Sequence, residues 1–203
     1  GAINMNADSN LTFVNSIFDD NSTGGIDKSG GGLFFSEGNV TITNSIFKNR
    51  VVNGDNNFYT MIDVEGAIDI ENCSFISNQF DKSRLIYTNS GFASTIKNSK
   101  FLYNTSQNMD SNRPFLSVEA DFTDCIFFGN EFSNNNFNYF IRTNPPQKST
   151  FEYSLTDFEI EQGYSKLGNI FKRPLFCIND TTYNLVASNS PLIGSAKDQG
   201  QNI

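Results

Sequence analysis

Short bursts of alternating apolar and polar residues follow one another along this chain, each interrupted by an asparagine. In "LTFVNSIF" (11–18), Leu11 and Phe13 fall on one face and Thr12 and Val14 on the other, and the alternation restarts after Asn15. Alternation of this kind marks a strand with one buried face. The burst returns as "VTITNSIF" (40–47), "IDIENCSF" (68–75), "STIKNSKF" (94–101) and "ADFTDCIF" (120–127). Aligned on Asn15, Asn44, Asn72, Asn98 and Asp124, the copies are spaced by 29, 28, 26 and 26 residues. Three residues after each turn residue stands Phe18, Phe47, Phe75, Phe101 or Phe127. Two residues before it stands Phe13, Ile42, Ile70, Ile96 or Phe122. Directly after it comes a small residue: Ser16, Ser45, Cys73, Ser99 or Cys125.

An interval of this size with period-two bursts describes a solenoid of strands. No segment sustains the i, i+3, i+4, i+7 spacing of a helix, and the Leu ladder of leucine-rich repeats is missing. A parallel β-helix meets every requirement, because each coil lays its strands over the coil below and like residues stack at ~4.8 Å. The predicted fold is all-β: a right-handed parallel β-helix of about five to six coils with a C-terminal capping segment. Its handedness follows the rule for parallel crossovers. Coils are expected over 1–155, and a closing coil and cap of the same domain over 156–203. The Asn column is expected to turn the chain in left-handed geometry and to form a buried hydrogen-bonded ladder, with the Phe column filling the core.

A further strand precedes each corner: "LFFSE" (33–37), "MIDVE" (61–65), "LIYTN" (85–89), "FLSVE" (115–119) and "FIRTN" (140–144). Their second and fourth residues point inward by alternation, and their third residues outward: Phe35, Asp63, Tyr87, Ser117 and Arg142. Segments such as "NSTGGIDKSGG", "RVVNGDNNF" and "NTSQNMDSN" have the Gly, Asn, Ser and Asp content of surface loops.

Composition narrows the partners. The apolar fraction of 37% is low, and 21 Phe supply the bulk of a core, while 29 Asn favour turns over helix interiors. A net charge of −8 without any basic run excludes nucleic acid as a partner. It also disfavours anionic polysaccharides unless Ca²⁺ bridges the contact. No apolar run reaches the ~18 residues of a membrane span. The first coil starts almost at once, with neither a signal peptide nor an N-terminal cap, so a segment of a longer protein is expected.

"FDDN" (18–21), "FISN" (75–78), "FLYN" (101–104) and "FFGN" (127–130), with "FKNR" at 47–50, resemble the FxxN repeats of bacterial polymorphic outer-membrane proteins. "GGL" (31–33) and "EGAI" (65–68) resemble the GGA-[I/L/V] motif that follows those repeats. More broadly the pattern resembles bacterial secreted right-handed parallel β-helix proteins of the pectate-lyase-like type. The tail "GNI…RPLF…TYNLVASNSPLIGSAKDQG" (168–200) is similar to their closing segment. The resemblance implies a bacterial protein that is secreted or attached to the cell surface.

The chain has no histidine, which removes Ser-His-Asp and Cys-His nucleophiles and His-based zinc sites. Lyase chemistry with Lys or Arg as base and Ca²⁺ on carboxylates, or hydrolysis by paired carboxylates, remains open. The acidic candidates are Asp63, Glu65, Asp69 and Glu71, and the basic ones Arg84, Arg113 and Arg142. Alternating charge is also what solvent-facing strand positions produce without any function. Glu37, Glu65 and Glu119 share one outward column that could hold Ca²⁺, though Asn89 interrupts it. No set combines a base with convergent carboxylates, so no cofactor is assigned. The outward stripe Phe35, Asp63, Tyr87, Ser117 and Arg142 is the candidate ligand surface, since aromatic faces with polar neighbours suit sugar rings. The competing expectation is that loops cover it, because Leu33, Met61, Leu85, Phe115 and Phe140 one step earlier would otherwise form a large exposed apolar patch.

The sequence therefore favours a non-catalytic extracellular or cell-surface module, adhesin-like, that binds a glycan or a surface protein. The rivals are a β-helix polysaccharide lyase or glycoside hydrolase, or the non-catalytic part of one, and a plain spacer. Of six Asn-X-Ser/Thr sequences, Asn72 is assigned to the buried ladder. Cys73 and Cys125 lie two coils apart, ~9.6 Å along the axis, too far for a disulfide. Three free thiols are expected.

Overall fold

The structure is a computed structural model. It describes residues 3–5, 9–21, 33–53 (backbone alone at 52 and 53), 60–89, 91–107, 114–132, 140–141, 149–160, 163–174 and 176. Among these, helix is almost absent and the strands form four sheets, all of whose pairings are parallel. The first sheet holds β1 (Ile3–Met5), β4 (Phe34–Ser36), β8 (Thr60–Val64), β12 (Arg84–Thr88) and β16 (Leu116–Ser117). The second holds β2 (Leu11–Val14), β5 (Val40–Thr43), β9 (Ile68–Glu71), β13 (Ser94–Lys97), β17 (Ala120–Thr123) and β20 (Thr150–Glu152). The third holds β3 (Ile17–Asp19), β6 (Ile46–Lys48), β10 (Ser74–Ile76), β14 (Lys100–Leu102), β18 (Ile126–Phe128), β21 (Leu155–Thr156) and β22 (Ile170–Phe171). The fourth holds β7 (Val51–Asn53), β11 (Gln79–Asp81), β15 (Thr105–Gln107) and β19 (Glu131–Phe132).

Chain order cycles through the sheets, so the molecule is a parallel β-solenoid. Four complete turns, β4–β7, β8–β11, β12–β15 and β16–β19, are flanked by the partial turns β1–β3 and β20–β21, and β22, paired with β21, belongs to the turn after that. Against the expected five to six coils, the described residues hold four whole ones and parts of three others. The fourth sheet corrects the sequence reading, which placed Val51–Asn53 and Thr105–Gln107 in surface loops. Each of these strands is too short for alternation to be recognised.

The corner between the second and third sheets is made as expected. Asn15, Asn44, Asn72, Asn98 and Asp124 all have φ near +50° (48–54°), and Tyr153 continues the column at 50°. Asparagine and aspartate tolerate this left-handed geometry better than other non-glycine residues. Their side chains do not form the buried ladder, however. Asn15, Asn44, Asn72 and Asn98 are exposed, with one amide link, Asn72 Nδ2 to Asn44 Oδ1 at 2.7 Å. The buried ladder runs through the last residue of the FxxN motif instead. Asn78 and Asn104 are fully buried; Asn78 Nδ2 donates to Asn104 Oδ1 and Asn104 Nδ2 to Asn130 Oδ1, both at 2.9 Å. Each amide also reaches back to the Phe carbonyl of the preceding coil: Asn78 to Phe47, Asn104 to Phe75 and Asn130 to Phe101. Arg50 occupies the same position one coil earlier, and burial pushes its guanidinium down to about 10.

The Phe column stacks down the third sheet with ring centroids 4.7, 4.9, 4.9 and 4.8 Å apart and interplanar angles of 8–10°. Phe47, Phe75, Phe101 and Phe127 are buried, and Phe18 in the first, partial turn is half-buried. Beside the Phe column the small column makes its own ladder, in which Cys73 N donates to Ser99 Oγ and Cys125 N to Ser154 Oγ. Cys73 and Cys125 are buried free thiols, as expected, and Cys177 lies outside the described residues.

A second apolar cluster lies outside the solenoid. Ile76, Leu102, Ile126, Phe128 and Leu155, on the outer face of the third sheet, are buried and packed against Tyr103, Ile170 and Phe176. In the earlier coils this face is mixed: Asp19 pairs with Lys48 at 3.1 Å, and Ile17 beside them is exposed. The expected cap beyond Phe176 lies outside the described residues. Among those described, no helix is long and apolar enough to cross a membrane.

Candidate functional site

The candidate surface is the outer face of the first sheet. Parallel pairing without offset sets Phe35 opposite Asp63, Asp63 opposite Tyr87 and Tyr87 opposite Ser117. Asn4 extends the row beneath Phe35. Arg142 lies outside the described residues, although its neighbour Ile141 bridges to Leu116. Four of the five stripe residues therefore form one row.

Their exposure is graded. Phe35, Asp63 and Tyr87 are half-buried, whereas Ser117 is only 2% exposed. The open stretch is an aromatic–acid–aromatic step across three coils. The apolar column expected to demand covering loops turns inward instead. Leu33, Met61, Leu85, Phe115 and Phe140 all belong to the main core. Phe115 packs edge-on against Phe80 at 5.4 Å, and Phe140 against the core ring of Phe127 at 5.3 Å. Met61 and Leu85 stand second in β8 and β12, near the entry from the fourth sheet, and strict alternation gives way there: Met61 and Ile62, like Leu85 and Ile86, are both buried.

Charge is organised around Tyr87. The Arg84 guanidinium lies over the Tyr87 ring, 4.8 Å from its centroid, and the Tyr87 hydroxyl donates to Asn89 Oδ1 at 2.7 Å. Burial pushes the Asp63 carboxyl up to about 6, against the opposing pull of Arg84, with Glu65 adding a smaller upward push. At neutral pH Asp63 is a carboxylate that gains a proton under mild acid. It can accept hydrogen bonds from hydroxyl or amide donors laid across the two rings.

The other candidates disperse. Asp69 and Glu71 lie on the second sheet, around the corner from Asp63, and Asp69 accepts a 2.7 Å bond from the Thr95 hydroxyl. Arg113 lies outside the described residues. Glu37 and Glu65 are exposed at successive corners, while Glu119 is 5% exposed and accepts the Gly91 N–H at 3.3 Å. Among the described residues no three acidic or thiol side chains come together in a way that could hold a metal ion. Glycine is needed where these corners crowd: a β-carbon on Gly66 would come within 2.7 Å of Asn39 Oδ1 and 2.9 Å of the Gly38 backbone.

Two features escaped the sequence reading. A pocket of about 160 Å³ opens between the second and third sheets, lined by Asn44, Asn72, Asn98, Ile46, Ser74 and Lys100 together with Cys73. The only hint was the stacked Asn column, taken there as buried. The second feature is Phe92, 43% exposed in the segment between β12 and β13. Its signal was the greater length of that corner. In comparisons with protein-family models, curated proteins and solved structures, nothing matched this chain.

Proposed function

We propose that this chain is a non-catalytic β-solenoid module of the cell exterior, adhesin-like, that binds a glycan on the outer face of its first sheet. Fold alone does not decide function, and the proposal rests on the site. The observation that carries it is the in-register row Phe35–Asp63–Tyr87, in which two half-exposed aromatic rings flank a carboxylate. Aromatic rings offer flat apolar faces for sugar rings, and the carboxylate accepts from hydroxyls between them. The resemblance to secreted bacterial β-helix proteins supports a bacterial, extracellular setting. A solenoid also suits repetitive ligands, because its own surface repeats at each coil. A glycan array with wild type and the double variant Phe35→Ala/Tyr87→Ala tests it. Binding of the wild type to a defined glycan, lost in the variant at unchanged stability, is the expected result. Equal binding by both proteins would refute the placement of the site.

One observation favours a second reading, a glycoside hydrolase. Asp63, raised to about 6, and Glu65 stand two residues apart at the end of β8. A raised acid beside a second carboxylate is the pair that glycosidic cleavage uses. Release of reducing sugar from an array-positive glycan, abolished by Asp63→Asn, distinguishes this reading from simple binding.

A further inference from the structure

The corners joining the first sheet to the second differ in length from coil to coil. Between the aligned ends of the strands they contain three residues (37–39), three (65–67), five (89–93) and one (Glu119). Among the four complete turns, the five-residue corner lies directly beside the one-residue corner. Its path is held at three points. Asn89 N donates to Val64 O of the preceding coil, Ser94 N to Glu119 O of the next, and Gly91 N to the Glu119 carboxylate. Gly91 has φ +98°, a conformation that suits glycine and strains other residues.

Filling the space above a one-residue corner would explain the extra length if the apolar side chain turned in. It does not turn in, since Phe92 is 43% exposed while Glu119 beneath the segment is 5% exposed. A buried carboxylate thus holds the backbone, and the aromatic ring is left to solvent. At 3.3 Å the bond from Gly91 N to Glu119 is a long hydrogen bond, and it acts together with the two backbone bonds of Asn89 and Ser94 in holding the segment. The segment begins at Asn89, whose amide oxygen receives the Tyr87 hydroxyl, so Phe92 follows in the chain three residues after the edge of the face that carries Phe35, Asp63 and Tyr87.

We propose that Phe92 is a ligand-contact residue extending that face around its corner, that Glu119 is the positioning residue for it, and that the ligand is a neutral β-1,4-linked glycan. This rests on the glycan-binding reading above. Neutrality follows from the acidic balance: Asp63 and Glu65 on or beside the row and the net charge of −8 repel uronates, and Arg84, the cation beside the row, is engaged over the Tyr87 ring. The β-1,4 linkage gives the extended chain of flat rings that a row of aromatics followed by a rim aromatic can hold.

The chain contains no Trp, so Phe92→Trp creates a single fluorescent reporter at the rim. The probes are cellohexaose and chitohexaose, with polygalacturonate as the anionic control. Binding is measured by calorimetry for the unlabelled proteins and by emission for Phe92→Trp. The expected result is saturable binding of at least one neutral hexasaccharide and a saturable emission change in Phe92→Trp. Phe92→Ala should weaken that binding about tenfold, as truncating a contact aromatic does. Glu119→Ala should weaken it similarly, and Glu119→Gln, which retains an acceptor oxygen, should restore it. If Glu119→Ala fails to fold, the Phe92→Trp and Phe92→Ala measurements decide. Loss of binding in Tyr87→Ala with no change in Phe92→Ala overturns this proposal and leaves the glycan reading standing. Absence of wild-type binding to both hexasaccharides, or tighter binding of polygalacturonate, overturns the assignment of ligand and rim together.

Discussion

Truncating Phe75 to alanine probes the interior of the solenoid where it is most regular. The ring is fully buried and stacks on Phe47 and on Phe101 at 4.9 Å each, with interplanar angles of 9° and 8°. Removing a buried Phe side chain costs ~3–5 kcal/mol through lost transfer energy and the cavity left behind. Each stacked pair contributes ~0.5–1.5 kcal/mol beyond area burial, which places Phe75→Ala in the upper half of that range. Phe18 is the internal control: it is half-buried and has a stacked ring on one side alone, Phe47 at 4.7 Å. Phe18→Ala is therefore expected to cost about half as much, ~2 kcal/mol. Urea unfolding followed by circular dichroism at the strand band gives both values. With a slope of ~2–3 kcal/mol/M for a chain of this size, the Phe75→Ala midpoint falls by roughly 1.5–2 M. Equal losses for the two variants, or an unchanged midpoint for Phe75→Ala, would refute the assignment of this column to the core and of its first member to the open end.

Three further outcomes follow from the same structure. Asn104→Ala should cost ~2–4 kcal/mol in urea unfolding, since it leaves buried donors and acceptors of the ladder without partners, whereas Asn72→Gly on the exposed column should stay within ~0.5 kcal/mol of wild type. Because Asp63 is raised to about 6, the folded state binds its proton more tightly than the unfolded chain does. Ionisation of Asp63 therefore opposes folding above pH 6, and the effect vanishes below the unfolded value near ~3.9. Asp63→Asn should be more stable than wild type at pH 7.5, by on the order of 1 kcal/mol after solvent screening, and equal to it at pH 3.5; thermal melts at the two pH values check this. Burial holds the Cys73 and Cys125 thiols up at about 11 and about 12. In a Cys177→Ser background neither should react with an aromatic disulfide reagent at pH 8 until the protein is denatured.

The sequence by itself determined what repeats. The period-two bursts, the interval, the turn residues Asn15 to Asp124 and the Phe column were all readable, because a parallel solenoid stacks like on like and so writes its register into the chain. The row Phe35–Asp63–Tyr87 was readable for the same reason, since alternation assigns the third residue of each first strand to the outside, whereas Ser117 keeps the register but is buried. Tertiary structure decided what does not repeat or what depends on a neighbour. The fourth sheet has strands too short to show a period, and Val51–Asn53 is recognised as a strand only because Gln79–Asp81 lies beside it. Which asparagines are buried depends on corner geometry: Asn72 and Asn78 look alike in sequence, but the first turns its amide to solvent and the second lies beneath the Phe47 carbonyl. Leu33, Met61, Leu85, Phe115 and Phe140 share the phase of the outer row, yet the bend out of the fourth sheet swings them into the core. The exposure of Phe92 and the burial of Glu119 arise from two unequal corners placed side by side. Alternation specifies the face of a side chain within a straight strand; where the chain bends, the adjacent coil specifies it.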